Sequence, residues 1–84
     1  MNDKSPIRRA IDHSLNDYYR HLGEEGKATD VFRMIVNEAE AAVIANIMAR
    51  CKGNQSKAAA ILGITRNTLK KKLVEYQLLE TAEE

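Results

Sequence analysis

Gly53-Asn54-Gln55-Ser56-Lys57-Ala58-Ala59-Ala60-Ile61-Leu62-Gly63-Ile64-Thr65-Arg66-Asn67-Thr68-Leu69-Lys70-Lys71-Lys72-Leu73 is the stretch that decides the fold. It reads as two short helices joined by a tight glycine turn. In a helix-turn-helix the two helices cross closely, so the first needs a small residue where the second packs. A turn residue tolerating positive φ must follow, and then an aliphatic that anchors the second helix from beneath. Ala59, Gly63 and Leu69 supply these three in order. Ile64 and Leu73 complete a small core, and Asn54 and Thr65 stand where N-caps belong. Arg66, Asn67, Lys70 and Lys71 are left for the outer side of the final helix.

Charge follows the same boundaries. Residues 41–74 contain Arg50, Lys52, Lys57, Arg66, Lys70, Lys71 and Lys72 and no acid, whereas residues 1–40 carry six cations and eight acids and residues 75–84 carry four acids. The net charge of +1 conceals one strongly basic block. A basic face coinciding with a helix-turn-helix is the footprint of a protein that binds double-stranded DNA. Arg66, in the first turn of the recognition helix, suits bidentate contact with guanine O6 and N7 in the major groove. Thr65 and Asn67 lie near the same helix N-terminus, where base and sugar-phosphate contacts are made. Asn54, Gln55 and Ser56 begin the preceding helix and suit a phosphate. Thr68, Lys70, Lys71 and Lys72 suit the flanking backbone, which positions a protein without reading sequence. For Asn54 and the threonines, helix capping is an alternative role compatible with these contacts.

Upstream, Ser5-Pro6 is a helix start, with Ser5 as N-cap and Pro6 where its missing N–H costs nothing. Ile7, Ile11, Leu15, Tyr18 and Leu22 recur at helical spacing, and Gly23 ends a first helix predicted from about Pro6 to Leu22. From Asp30 to Cys51 no proline or glycine intervenes, which predicts the longest helix, roughly 30 Å at 1.5 Å per residue, capped by Thr29 or Asp30 and broken by Gly53. Phe32, Ile35, Val36, Ala39, Val43 and Ile47 form one apolar stripe, and across Ala41–Ala49 only Asn46 is polar. A helix apolar around most of its circumference is buried on more than one side. A partner subunit is therefore expected to cover the second side, the alternative being a central helix in a monomeric bundle. The tail Glu80-Thr81-Ala82-Glu83-Glu84 is expected to fray.

The totals narrow the classes further. Eighty-four residues suffice for one small domain that is marginal alone, a shortage that an oligomer relieves. Cys51, the single cysteine, follows the apolar pattern of its helix and reads as a small buried hydrophobe in a reducing cytosol. No stretch approaches the roughly 18 uncharged residues of a membrane span, so a soluble cytoplasmic protein is expected. An enzyme is not expected, and neither a cofactor nor a metal. His13 and Asp17 lie at i, i+4 as an ordinary surface pair, His21 has no evident partner, and one cysteine with two scattered histidines makes no ligand set.

These residues resemble the Fis family of bacterial nucleoid-associated DNA-bending proteins, through Gly53–Ala59 and Ile64–Leu73, and upstream through Ser5-Pro6-Ile7-Arg8, Asp17-Tyr18-Tyr19, Leu22 and Glu38-Ala39-Glu40. The resemblance implies an all-α, four-helix subunit with a C-terminal helix-turn-helix, assembled as an intertwined homodimer in one domain over residues 1–84. Residues 6–51 would form the dimerisation core and residues 54–76 the DNA-binding unit. It further implies a sequence-tolerant transcriptional regulator and chromosome organiser that bends its site, with RNA polymerase or a recombinase as a further partner. Three positions depart from the family pattern. Thr65 stands where asparagine is familiar, Asn67 where glycine is, and Val74-Glu75 replaces a pair of lysines. Inversion-stimulating members also carry a longer N-terminal arm than Met1–Ser5, so stimulation of a recombinase is not expected. Two other readings use the same residues: a helical module whose basic face meets an acidic protein, and the detached DNA-binding end of an NtrC-type activator. Against the latter stand Met1 and the lack of an ATPase segment.

Overall fold

The computed structural model describes residues 5–23 and 26–78, and the expectations for the N-terminal arm and the acidic tail lie outside them. The described residues form four helices and no strand: α1 Pro6–Leu22, α2 Val31–Arg50, α3 Gln55–Leu62 and α4 Arg66–Glu75. The chain divides into two compact units, Met1–Ile35 and Val36–Glu84.

In the first unit α1 begins as its sequence dictates. The Ser5 hydroxyl accepts a hydrogen bond from the Arg8 N–H at 3.1 Å, and Pro6 occupies the first turn. No residue of α1 is buried, and Ile7 is 72% exposed although it heads the apolar stripe. Asp30 directly precedes α2 and its backbone carbonyl accepts from Met34 N–H, as at an N-cap position, but with positive φ (55°).

The second unit holds the core. Ile44 and Cys51 from the α2 segment, Ala58 and Ala59 from α3, and Leu69 and Leu73 from α4 are buried together, with Ile47, Met48, Leu62, Ile64, Tyr76 and Leu78 packed around them. Leu69 and Leu73 are fully enclosed. Each contributes on the order of 1.5–3 kcal/mol by burial. Ala58 and Ala59 are nearly as enclosed, because a larger side chain on this face of α3 would hold α4 away.

Three helices of this unit end by the same device, a left-handed residue whose N–H bonds back three residues while the next N–H bonds back five. Lys52 and Gly53 bond to Ala49 and Met48, Gly63 and Ile64 to Ala60 and Ala59, and Gln77 and Leu78 to Val74 and Leu73. The pivots have φ of 53° at Lys52, 79° at Gly63 and 58° at Gln77. Gly53 takes positive φ (84°) at the break the sequence predicts, and Lys52 before it is left-handed as well. The device folds Ile64 and Leu78 back onto the core they close.

Candidate nucleic-acid interface

α3 and α4 each begin on a side-chain cap. Asn54 Oδ1 accepts from Lys57 N–H at 3.0 Å. Thr65 Oγ1 accepts from Thr68 N–H at 3.1 Å and donates to Thr68 Oγ1 at 2.9 Å. Asn54 and Thr65 therefore fill the capping role. Neither helix has an acidic residue in its first turn, so both positive dipole ends face solvent without a competing carboxylate.

Gly63 holds the two helices at their crossing. A methyl group there would meet no atom within 4 Å, so the demand for glycine comes from φ alone. The first turn of α4 thus follows the last turn of α3 through the short connection Gly63–Thr65.

Asn67, Lys70, Lys71 and Val74 recur at i, i+3, i+4 and i+7 of α4, are all exposed and line one open concavity. Leu69 and Leu73 occupy the opposite row. Lys57, Lys70 and Lys71 form no ion pair among the described residues. Arg66 is exposed too, but its place differs from the expected outer row. At i, i+3, i+7 it aligns with Leu69 and Leu73, and it escapes burial because it is the first residue of its helix, beyond the edge of the core. Ser56 is exposed, whereas Gln55 is half-buried and its amide oxygen is covered, without a hydrogen-bond partner among the described residues.

Lys72 stands apart from the other cations. Its Nζ lies 2.8 Å from Glu40 Oε1, and the Tyr76 hydroxyl donates to the same oxygen at 2.7 Å. Tyr76 also reaches Asn37 Oδ1 at 3.4 Å. The hydrogen bond from Lys72, reinforced by that from Tyr76, holds the Glu40 carboxyl below its ordinary pKa, and the same contact raises Lys72. The bond to Glu40 pushes the Tyr76 phenol up to about 12. The expectation that nothing neutralises the basic block is corrected at this one position. The acid comes from residue 40, immediately before the acid-free window, and the contact spans 32 residues of sequence. No spacing rule in either segment would have paired them.

A helix-turn-helix whose second helix turns an amide and two unpaired lysines outward defines the class of regulator to which this molecule is built. The comparison with known proteins narrows the class: residues 35–76 match the family described as bacterial regulatory protein, Fis family, and the chain belongs to it. It is 42% identical over 73 residues to a Fis-like DNA-binding protein of Pseudomonas aeruginosa, covering 87% of this chain and 69% of that one. To a Fis-like DNA-binding protein of Ralstonia nicotianae it is 42% identical over 76 residues, covering 90% and 97%. To the DNA-binding protein Fis of Buchnera aphidicola it is 38% identical over 73 residues, covering 87% and 74%.

Proposed function

We propose that the protein is a Fis-type transcriptional regulator that binds double-stranded DNA as an intertwined homodimer and bends it. The observation that carries this reading is the outer row Asn67, Lys70 and Lys71 on the second helix of a helix-turn-helix, exposed, with neither lysine in an ion pair among the described residues. Its relatives are named for DNA binding, which supports the same assignment. Arg66 reads a guanine edge from the first turn of α4, with Asn67 and Thr65 beside it. Asn54, Gln55 and Ser56 hold a phosphate at the start of α3, chiefly through the Gln55 and Ser56 backbone N–H groups, since the Asn54 side chain is engaged as a cap, its N–H donates to the Cys51 carbonyl and the Gln55 oxygen is covered. Lys70, Lys71 and Thr68 grip the flanking backbone.

Exposed apolar side chains support the dimer. Phe32 is 82% and Val43 53% exposed on the longest helix, and α1 buries none of its stripe. Apolar side chains exposed along one helix stripe mark a face that a partner can cover. The Fis resemblance implies two recognition helices set closer than one DNA turn, and such a pair must draw the duplex toward it, so specificity arises partly from DNA deformability. Regulation of transcription and organisation of the bacterial nucleoid follow from such bending, and RNA polymerase is the natural further partner. Binding-site selection from random duplexes, with the solution mass measured in parallel, tests both halves. Enrichment of a guanine-containing, pseudo-symmetric site by a dimer is expected, and a monomer indifferent to duplex at low salt would overturn the reading.

A further inference from the structure

The seven cations of the basic block are not equivalent, and the geometry around Glu40 separates one of them from the rest. Lys72 lies between the outer row of α4 and its buried row, and its side chain is 29% exposed. Its ammonium is within 2.8 Å of a carboxylate whose same oxygen also accepts from Tyr76 at 2.7 Å. An ammonium bound to a carboxylate has already released its counterion, so transferring it to a phosphate would exchange one anion for another and leave Glu40 facing a polyanion. Lys70 and Lys71, with no such partner, release counterions on binding.

The hydrogen bonds of Lys72 and Tyr76 join the same two elements at two heights. These two residues are one helical turn apart at the end of α4, and both reach one oxygen of Glu40 on α2. Tyr76 reaches a second point on α2, Asn37, one turn before Glu40. Leu69 and Leu73 fix how close α4 lies, but apolar contact is non-directional and leaves rotation about the helix axis weakly specified. Hydrogen bonds are directional, and two anchors one turn apart set that rotation.

We infer that Glu40, Lys72 and Tyr76 form a latch that fixes the roll of α4 against α2, so that Lys72 is a positioning residue for the recognition helix and not one of its DNA contacts. The latch aims Asn67, Lys70 and Lys71 outward together. The inference rests on the duplex-binding reading above.

The test compares Lys71→Gln, Lys72→Gln and Tyr76→Phe with the unaltered protein in titrations of a mixed-sequence duplex at several salt concentrations, alongside carboxyl NMR of Glu40. Lys71→Gln is expected to flatten the slope of log K against log salt by about 0.9 for each phosphate it no longer neutralises. Lys72→Gln and Tyr76→Phe are expected to keep the full slope while narrowing the ratio of specific to non-specific affinity, and to return the Glu40 titration toward its ordinary value. Lys72→Arg should restore that ratio. Slope flattening by Lys72→Gln equal to that of Lys71→Gln would overturn the inference and leave duplex binding intact. So would a Glu40 titration unmoved by both latch variants, which is readable without DNA. If the unaltered protein shows no salt-dependent binding, the functional reading falls and the positioning role falls with it, whatever the Glu40 titration shows.

Discussion

Lys72 Nζ and Glu40 Oε1 meet at 2.8 Å across 32 residues, joining the helix that carries the exposed lysines to the helix beneath it. The pair has consequences for stability as well as for binding. Glu40 is lowered from an ordinary 4.5, so it stabilises the fold above that pH and loses this contribution as pH falls through its depressed folded value. Lys72 and Tyr76 are raised, Lys72 from 10.5 and Tyr76 from 10.0 to about 12. Their contributions are present below those ordinary values and disappear as pH rises through the folded ones. Besides one another, these groups face Asn37, which does not titrate, and the Glu75 carboxylate, whose charge adds to the upward shifts. Urea midpoints of the unaltered protein and Glu40→Gln are expected to differ most between pH 4.5 and 10.0 and to converge on both sides. A difference that ignored pH would remove the latch from the stability of this unit.

Lys52, exposed after the end of α2, adopts φ 53°. A left-handed non-glycine residue costs about 1–2 kcal/mol, part of which glycine forfeits again through the entropy of the unfolded chain. Lys52→Gly should therefore raise stability by roughly 0.5–1 kcal/mol, and Gly63→Ala, at φ 79°, should lower it by about 1 kcal/mol. Urea denaturation followed by circular dichroism checks both signs, and the two are opposite.

Leu69→Ala removes a fully enclosed side chain where α3 and α4 meet. The expected loss is about 2–5 kcal/mol, a large share of the stability of so small a unit. Val74→Ala, four residues after the outward-facing Lys70 and 61% exposed, should shift the same thermal melt by less than about 0.5 kcal/mol.

Arg66→Ala should leave the melt unchanged, since the side chain is exposed. Competition between duplexes differing at the contacted guanine should show a loss of discrimination of about 1–3 kcal/mol, while affinity for non-cognate DNA falls only by one cation's share. Retained preference for guanine in the variant would take the base-reading role away from Arg66.

Val43→Glu places a charge on the exposed side of α2, where valine is 53% exposed in the subunit. Sedimentation equilibrium is expected to show dissociation to monomers with helix content preserved. A dimer of undiminished affinity would exclude this face from the interface.

Much of the fold is legible in the residues because its signals are local. Ser5, Asn54 and Thr65 cap the helices their side chains announce, Gly63 takes the positive φ the turn requires, and Leu69 and Leu73 are buried as their spacing predicts. Each of these depends on a few neighbouring residues and on backbone sterics that are the same in any protein. The outer row Asn67, Lys70 and Lys71 is legible for the same reason, since a helix period assigns faces once one face is known to be apolar.

The rest requires distant residues to meet. That Lys52 joins Gly53 in the left-handed region depends on where α2 runs out of core to cover at Cys51, and that Arg66 stays exposed at the head of the inner row depends on where the core stops beneath α4. Four helices, their caps and the sign of the exposed face are written in the order of the residues, because periodicity, capping and charge act over one or two turns of chain. Which lysine is free and which is held is settled in three dimensions, where the packing of α4 on α2 brings Lys72 and Tyr76 to one oxygen atom of Glu40. Hydrogen bonds between residues so far apart in the chain leave no trace in its spacing.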